Sequence, residues 1–500
     1  MQIYDVPSNK IIFTIDLPRT TTLQFSPQSR YLCLQQPNYA AKKGETAEKN
    51  KNNEPPANVT VWDLQTKSKI NEILNKGSWN GFIWSPKDDT WYGRISTDQR
   101  QVLFFEPEQG TKVVHKFQSA DNAPIRAFSV GEGKSRNPKN KQDPLVAFFT
   151  PEYKSATAKV RVHRYPDFSP NSCLASKSFF KAENASLIWS DSASAVCCLA
   201  TTETDKSGVS YYGTSQLHHL STRGKAQGEA ARVELPKTGP TYDVQWQPGK
   251  ERFCCVYGYM PSNATIYTSP KLEVVFHYEG ISKNTVLYSP GNTGLLALCG
   301  FGNVSGTVSV YQTEKKERIV EFDSANTTMF NWAANGKHFF AATTTPRLRI
   351  DNRLDVLDYS GKRNFRMDVN VLLEVAFQPM PELANSTTFD LTDNEIKKLQ
   401  KQTKSAEVKT SNKKFIPAAK RKQLEAQKAA GQTAPGQNQE KAFENKIKGL
   451  KKKLTSIKQL KADPSKIVND EQKDKIAREK EFMAEIADLQ KKLKELQASK

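Results

Sequence analysis

Cysteine is scarce: seven among 500 residues, at Cys33, Cys173, Cys197, Cys198, Cys254, Cys255 and Cys299. The number is odd and no C-x-x-C pair occurs, so neither a disulfide framework nor a cysteine-held metal is expected. Neighbouring residues on a strand face opposite ways, which makes each vicinal pair two reduced core thiols rather than one ligand set. The six histidines do not gather at metal-ligand spacing either. His218 and His219 adjoin on an expected strand and should face apart, while His163, His277 and His338 stand singly.

Catalytic signatures are missing too. There is no G-x-S-x-G elbow, no Walker loop and no H-E-x-x-H helix. GVSYYG (208–213) misses the elbow spacing, and GFGNVSG (300–306) is followed by no βαβ unit, which leaves it a loop between strands. The expectation is a protein with no catalytic residues, no metal and no cofactor. No apolar run reaches eighteen residues, and MQIYDVPSNK has neither a basic n-region nor an apolar h-region. A cytoplasmic, soluble protein without a membrane partner is expected.

Positive charge is abundant and local. The net charge is +20, and residues 391–500 hold 28 basic against 15 acidic groups. Residues 401–461 alone carry 17 basic and 4 acidic groups. Such a field attracts polyanions, with nucleic acid or a ribonucleoprotein surface as the expected partner. An acidic membrane would want a Trp- and Phe-rich apolar helix face, which this tail lacks.

The first 390 residues repeat. An apolar strand ending in an aromatic residue and a turn recurs at Phe25, Trp84, Phe128, Trp189, Trp246, Tyr288, Trp332 and Phe377, 42 to 61 residues apart. Behind each of the first seven come a β-rich run (YLCLQ, WYGRI, LVAFF), an alternating third strand (VTVWDL, VRVHRY, TVSVY) and a polar fourth (KVVHKF, RIVEF). Four strands per unit predict an all-β, WD-like propeller of eight to nine blades. A β-sandwich would not keep this four-strand phase. MQIYDV and KIIFTI read as third and fourth strands of a blade and VLLEVAF near Phe377 as a first strand, so the two ends are expected to share one blade. Insertions at 36–57, 131–144 and 203–213 read as loops.

After residue 390 the pattern changes. Thr392 and Glu395 form a capping box that opens a short helix, TDNEIKKLQ, and a Lys-, Ala- and Gln-rich stretch follows. Phe443, Ile447, Leu450, Leu454 and Ile457 make one helical stripe; Phe482, Ile486, Leu489, Leu493 and Leu496 make a second, with Pro464 between. The expected organisation is a propeller over 1–390, a basic, largely disordered linker over 391–440, and an α-helical hairpin over 441–500. Candidate nucleic-acid contacts are Lys446, Lys448, Lys451, Lys452, Lys453 and Lys458 on the first helix, and Lys413, Lys414, Lys420, Arg421 and Lys422 in the linker. Arg347 and Arg349 are candidates on the propeller rim, where pairing with rim carboxylates is an equal expectation. Tail lysines would add affinity and salt dependence but little sequence discrimination.

Six segments carry a resemblance: ASKSFFKA (175–182), TDKSGVSYYG (204–213), LPKTGPTYDVQW (235–246), FCCVYGYMPSNATIY (253–267), GFGNVSG (300–306) and TPRLRIDN (345–352). Together with the lysine helix NKIKGLKKKLTSIKQLK they closely resemble the eukaryotic translation initiation factor 2A family over nearly the whole chain. The resemblance implies a nine-bladed WD-like propeller with a basic C-terminus that binds the small (40S) ribosomal subunit. It also implies delivery of initiator methionyl-tRNA without GTP hydrolysis in alternative or stress-related initiation, with mRNA and other initiation factors as further partners. Three features depart from the family. Further strand-rich sequence precedes the position of Met1 in family members, RLDVLDYSG replaces a more aromatic strand, and a Tyr-Arg-Pro-Pro element is reduced to FIPAAKR. The alternative is a non-catalytic scaffold of a translation or other ribonucleoprotein complex, similar to the propeller subunit b of initiation factor 3.

Overall fold

The computed structural model describes residues 1–410, apart from 6–7, 38–56, 76–80, 87, 133–142, 203–212, 346, 379, 381–382, 384–385 and 389–390. Of residues 411–500 it describes only scattered positions between 454 and 490.

Eight antiparallel sheets follow in chain order, seven of them four-stranded meanders. The first is a two-stranded sheet of β1 (Gln2–Asp5) and β2 (Lys10–Thr14). Blade 1 comprises Thr22–Phe25, Tyr31–Gln35, Val59–Asp63 and Ser68–Ile73; blade 2 comprises Ile83–Trp84, Tyr92–Ile95, Gln101–Phe105 and Val113–Gln118. Blades 3 to 7 open with Ala127–Gly131, Asn184–Trp189, Thr241–Trp246, Thr285–Tyr288 and Met329–Trp332, and blade 7 ends with Arg363–Asp368. Every four-stranded blade begins with the expected aromatic segment.

Hydrophobic side chains fill the spaces between successive blades. Tyr31, Trp84 and Tyr92 join blades 1 and 2; Leu145, Val160 and Cys198 join blades 3 and 4; Val308, Trp332 and Phe339 join blades 6 and 7. The anchors also fasten one blade to the one before it. Trp189 donates Nε1–H to Ser129 Oγ at 2.8 Å, Trp246 to the Ile188 carbonyl at 2.9 Å and Trp332 to the Leu287 carbonyl at 3.2 Å. An aromatic side chain with one donor suits this place because it buries a large apolar area and satisfies an inner-strand acceptor at once. The vicinal cysteines split as expected: Cys197 and Cys255 lie in the core between blades 4 and 5, Cys198 between blades 3 and 4, and Cys254 between blades 5 and 6.

The eighth anchor behaves differently. Residues 371–378 form no strand, and β1 pairs only with β2 among the described residues, so the shared blade expected from the two ends does not form there. The Leu372 N–H bonds Asn352 Oδ1 at 2.9 Å and its carbonyl accepts from the Thr345 N–H at 2.6 Å. Those bonds tie the segment to a loop of blade 7 and take up backbone groups that a strand ladder would need. Phe377 instead rests on Phe340, with ring centroids 5.2 Å apart.

A helix, α1 (Asp393–Thr410), follows. Thr392 and Glu395 cap it reciprocally, the Thr392 N–H and Oγ1–H reaching Glu395 Oε2 at 2.9 and 2.7 Å and the Glu395 N–H reaching Thr392 Oγ1 at 3.3 Å. Leu391 and Ile396 are fully buried in the core of blades 6 and 7, and Lys315 Nζ bonds the Leu391 carbonyl and Asp393. This compact unit runs from Met1 to Glu407. In the second unit, Leu454 and the described positions of the second expected tail helix are helical, with Phe482 and Ile486 buried.

Candidate nucleic-acid interface

In a meander blade, the link between second and third strands and the link onward to the next blade emerge at the same end. Five of the six family-like segments supply such links. Phe180 to Ala182 leave blade 3, residues 233–240 leave blade 4, and residues 258–261, 300–306 and 344–352 join the second and third strands of blades 5, 6 and 7. The sixth, 204–213, joins the second and third strands of blade 4 in sequence and, apart from Gly213, lies outside the described residues. One rim of blades 3 to 7 therefore gathers the distinctive sequence.

The loops brace one another. Gly239, at φ +131°, lies so close to the 258–261 loop that a Cβ would stand 2.3 Å from the Tyr259 nitrogen, and only glycine accepts both constraints. The Tyr259 N–H bonds the Thr238 carbonyl at 3.1 Å, and Lys237 Nζ donates to the Pro261 carbonyl. Asn284 clamps the glycine-rich loop of blade 6, donating to the Phe301 carbonyl at 2.8 Å and accepting from its N–H at 3.0 Å. In blade 7, Asn352 Nδ2 bonds the Leu348 carbonyl at 2.7 Å.

Arg347 and Arg349 project from this last loop, and both are exposed. The Arg347 guanidinium lies over Gly302 of the neighbouring loop, where a Cβ would stand 2.4 Å from its Nη2. Nearby arginines are neutralised: Arg353 and Arg363 pair with Asp355, and Arg366 with Asp368. Among the described residues Arg347 and Arg349 make no ion pair, against the expectation that they are rim salt-bridge partners. The same rim exposes Phe180 and Ile350, each 68% accessible, with Tyr259 and Met260 half exposed. Lys181 and Lys237 lie in the same links. Flat apolar groups interleaved with cations suit bases stacked on side chains and phosphates held beside them. Those apolar residues were not singled out from the sequence, although Phe180, Tyr259, Met260 and Ile350 all fall inside the quoted segments.

The tail candidates Lys413, Lys414, Lys420, Arg421, Lys422, Lys446, Lys448, Lys451, Lys452, Lys453 and Lys458 lie outside the described residues. Among the described residues no group of His, Cys, Asp and Glu could hold a metal, and no helix is long and apolar enough to cross a membrane. Burial draws the His163, His218 and His219 imidazoles down to about 4, which keeps them neutral near pH 7. His218 stacks on Phe179 with centroids 4.2 Å apart, whereas His219 faces Trp246 and Phe253; both are packing groups.

The family model described as "Eukaryotic translation initiation factor eIF2A" matches residues 177–375, from the end of blade 3 through blade 7. Eukaryotic translation initiation factor 2A of Drosophila melanogaster is 34% identical over 355 residues, covering 70% of this chain and 52% of the relative. That of Caenorhabditis elegans is 30% identical over 394 residues, covering 76% of this chain and 62% of the relative. The chain thus spans between half and two thirds of these relatives' length. A solved structure titled "Crystal structure of the eukaryotic initiation factor" superposes with a TM-score of 0.62 at 26% identity, covering 75% of this chain and 84% of that one. The succession of blades, the segments gathered on their common rim and these relatives agree: the chain belongs to the eukaryotic translation initiation factor 2A family.

Proposed function

We propose that this chain is a non-enzymatic, cytoplasmic translation initiation factor that binds the small ribosomal subunit and directs initiator methionyl-tRNA to it without GTP hydrolysis, in alternative or stress-related initiation. The observation that carries this reading is the convergence of the family-like loops on one rim, where Arg347 and Arg349, without an ion pair among the described residues, sit among exposed Phe180, Tyr259 and Ile350. The propeller offers a rigid face that selects the partner. The basic tail, with Lys413, Lys414, Lys420, Arg421 and Lys422 and the lysines from Lys446 to Lys458, adds counterion-release affinity for RNA.

In this reading the propeller spans 1–390, α1 packs against it at the start of 391–440, the rest of that basic segment serves as the linker, and 441–500 form a helical hairpin. Filter binding of isolated initiator tRNA, with and without small subunits, tests the reading. Tight binding that Arg347→Ala together with Arg349→Ala weakens about tenfold supports it. Binding only to other initiation-factor subunits, with no affinity for tRNA, would replace it with the scaffold reading.

A further inference from the structure

Strand register brings equivalent positions of the blades into line. The anchors Phe25, Trp84, Phe128, Trp189, Trp246, Tyr288 and Trp332 pair across the ladder with Leu32, Tyr92, Phe148, Val196, Phe253, Leu296 and Phe339. Two residues further along the second strand stand Leu34, Arg94, Thr150, Cys198, Cys255, Leu298 and Ala341. Leu34, Cys198, Cys255, Leu298 and Ala341 are buried in the cores between blades. Blade 2 alone has an arginine at this place.

Among the described residues Arg94, half-buried, has a ring contact but no carboxylate partner. Its Nε–H is buried without an acceptor, and its one hydrogen bond runs 3.5 Å from Nη1 to the Ile95 carbonyl. The guanidinium carbon stands 5.5 Å from the centre of the Phe105 ring, and no carboxylate pairs with it. Desolvation draws it below its ordinary arginine value, the direction expected of a half-buried cation with no carboxylate beside it. Leaving a buried donor of a cation unmatched is destabilising, so such a group is expected to meet an anion.

A cavity of about 520 Å³ lies beside it, between blades 1, 2 and 3, at the end of the blades where the family-like links emerge. Arg94, Arg126, Ser96, Thr97, Gln99 and Phe82 are among its lining residues, which include no Asp or Glu among those described. Arg126 Nη1 is held by Gln99 Oε1 at 3.0 Å, which orients a second guanidinium at the opening. Arg94 also borders a second space of about 420 Å³, where Glu72 is engaged by Lys69.

We propose that this cavity binds the phosphate of a ribonucleotide, Arg94 taking the phosphate oxygens at depth and Arg126 at the mouth. Guanidinium matches phosphate in a bidentate fork, the Thr97 hydroxyl and the Gln99 amide N–H can add donors, Ser96 being engaged by Asp98 at 2.5 Å, and the volume suits a mononucleotide. The inference goes beyond the initiation-factor reading, because a free nucleotide and the 5′ end of an unpaired RNA share this chemistry.

Calorimetric titration of the full chain with 5′-AMP, adenosine and inorganic phosphate, and with short oligouridylates bearing a 5′-phosphate or a 5′-hydroxyl, tests it. AMP should bind and raise the unfolding temperature where adenosine does not. Arg94→Gln should lower AMP affinity at least tenfold. Arg126→Ala, at an exposed position, should lower it several-fold with the unfolding temperature of the free protein unchanged, which guards against a folding defect in the first variant. A 5′-phosphorylated oligonucleotide that outbinds AMP, with an advantage over its hydroxyl counterpart that Arg94→Gln removes, identifies RNA as the source; equal affinities identify free nucleotide. The proposal falls if AMP and adenosine behave alike, or if both variants bind AMP as well as the parent chain. Small-subunit binding is read in parallel, so that AMP binding without ribosome binding would overturn the initiation-factor reading and leave the cavity standing.

Discussion

At the scale of single residues, the buried imidazoles make stability depend on pH. His163, His218 and His219 are almost inaccessible, and in the folded chain each is drawn from 6.5 to about 4. The unfolded chain therefore takes up protons first as pH falls. Their contribution to stability is complete above about pH 6.5 and is lost between there and pH 4, each group losing on the order of 1.4 kcal/mol for every pH unit crossed in that window. The unfolding temperature should drop over the same range, and His218→Phe, which keeps the stack on Phe179, should make the drop shallower. An unchanged profile in the variant would show that His218 does not titrate with unfolding. Trp246→Phe should destabilise by roughly 1–3 kcal/mol in urea titration, since it removes the indole N–H donated to the Ile188 carbonyl and part of the ring's packing. The role of Trp246 was legible from its recurrence, and the opposed vicinal cysteines followed from the two-residue period of a strand. Arg94 was not legible, because its oddity appears only when the blades are aligned by register.

At the scale of elements, local patterns that need only their own neighbours were readable. The Thr392 and Glu395 capping box is one such case, and α1 begins where that box placed it. The helix's docking on blades 6 and 7 was not readable, since Leu391 and Ile396 are separated from their partners Val308 and Phe339 by many residues. Ile396→Ala should cost about 2–5 kcal/mol through the cavity it leaves, measured by chemical unfolding. If it cost under about 0.5 kcal/mol, the size of an ordinary surface substitution, the helix would be a loosely held appendage. VLLEVAF has a strand's composition yet forms none, because Asn352 and Thr345 take up the Leu372 backbone groups. Strand propensity yields to tertiary bonds of this kind.

Over the whole molecule, the repeat made the propeller plain, while the way its ends are arranged depended on packing no period encodes. Ile3 and Ile15 of the N-terminal segment bury Leu32 and Leu34 of blade 1. Deleting residues 1–16 should therefore lower the unfolding temperature, read by calorimetry, by uncovering an apolar blade face. The rim of blades 3 to 7 was half visible in the sequence: its segments could be named, but that they share one end required the strand order. The division of labour between that rim and the basic tail is tested most directly by the salt dependence of small-subunit binding. Truncation after Thr410 keeps α1 and removes 23 basic and 12 acidic residues. Each phosphate that the tail no longer neutralises should flatten the slope of log affinity against log salt by about 0.7–0.9. The truncated chain should bind more weakly and with a shallower slope, and Arg347→Ala with Arg349→Ala should weaken it further. The same affinity and the same slope for truncated and full-length chains would contradict the account.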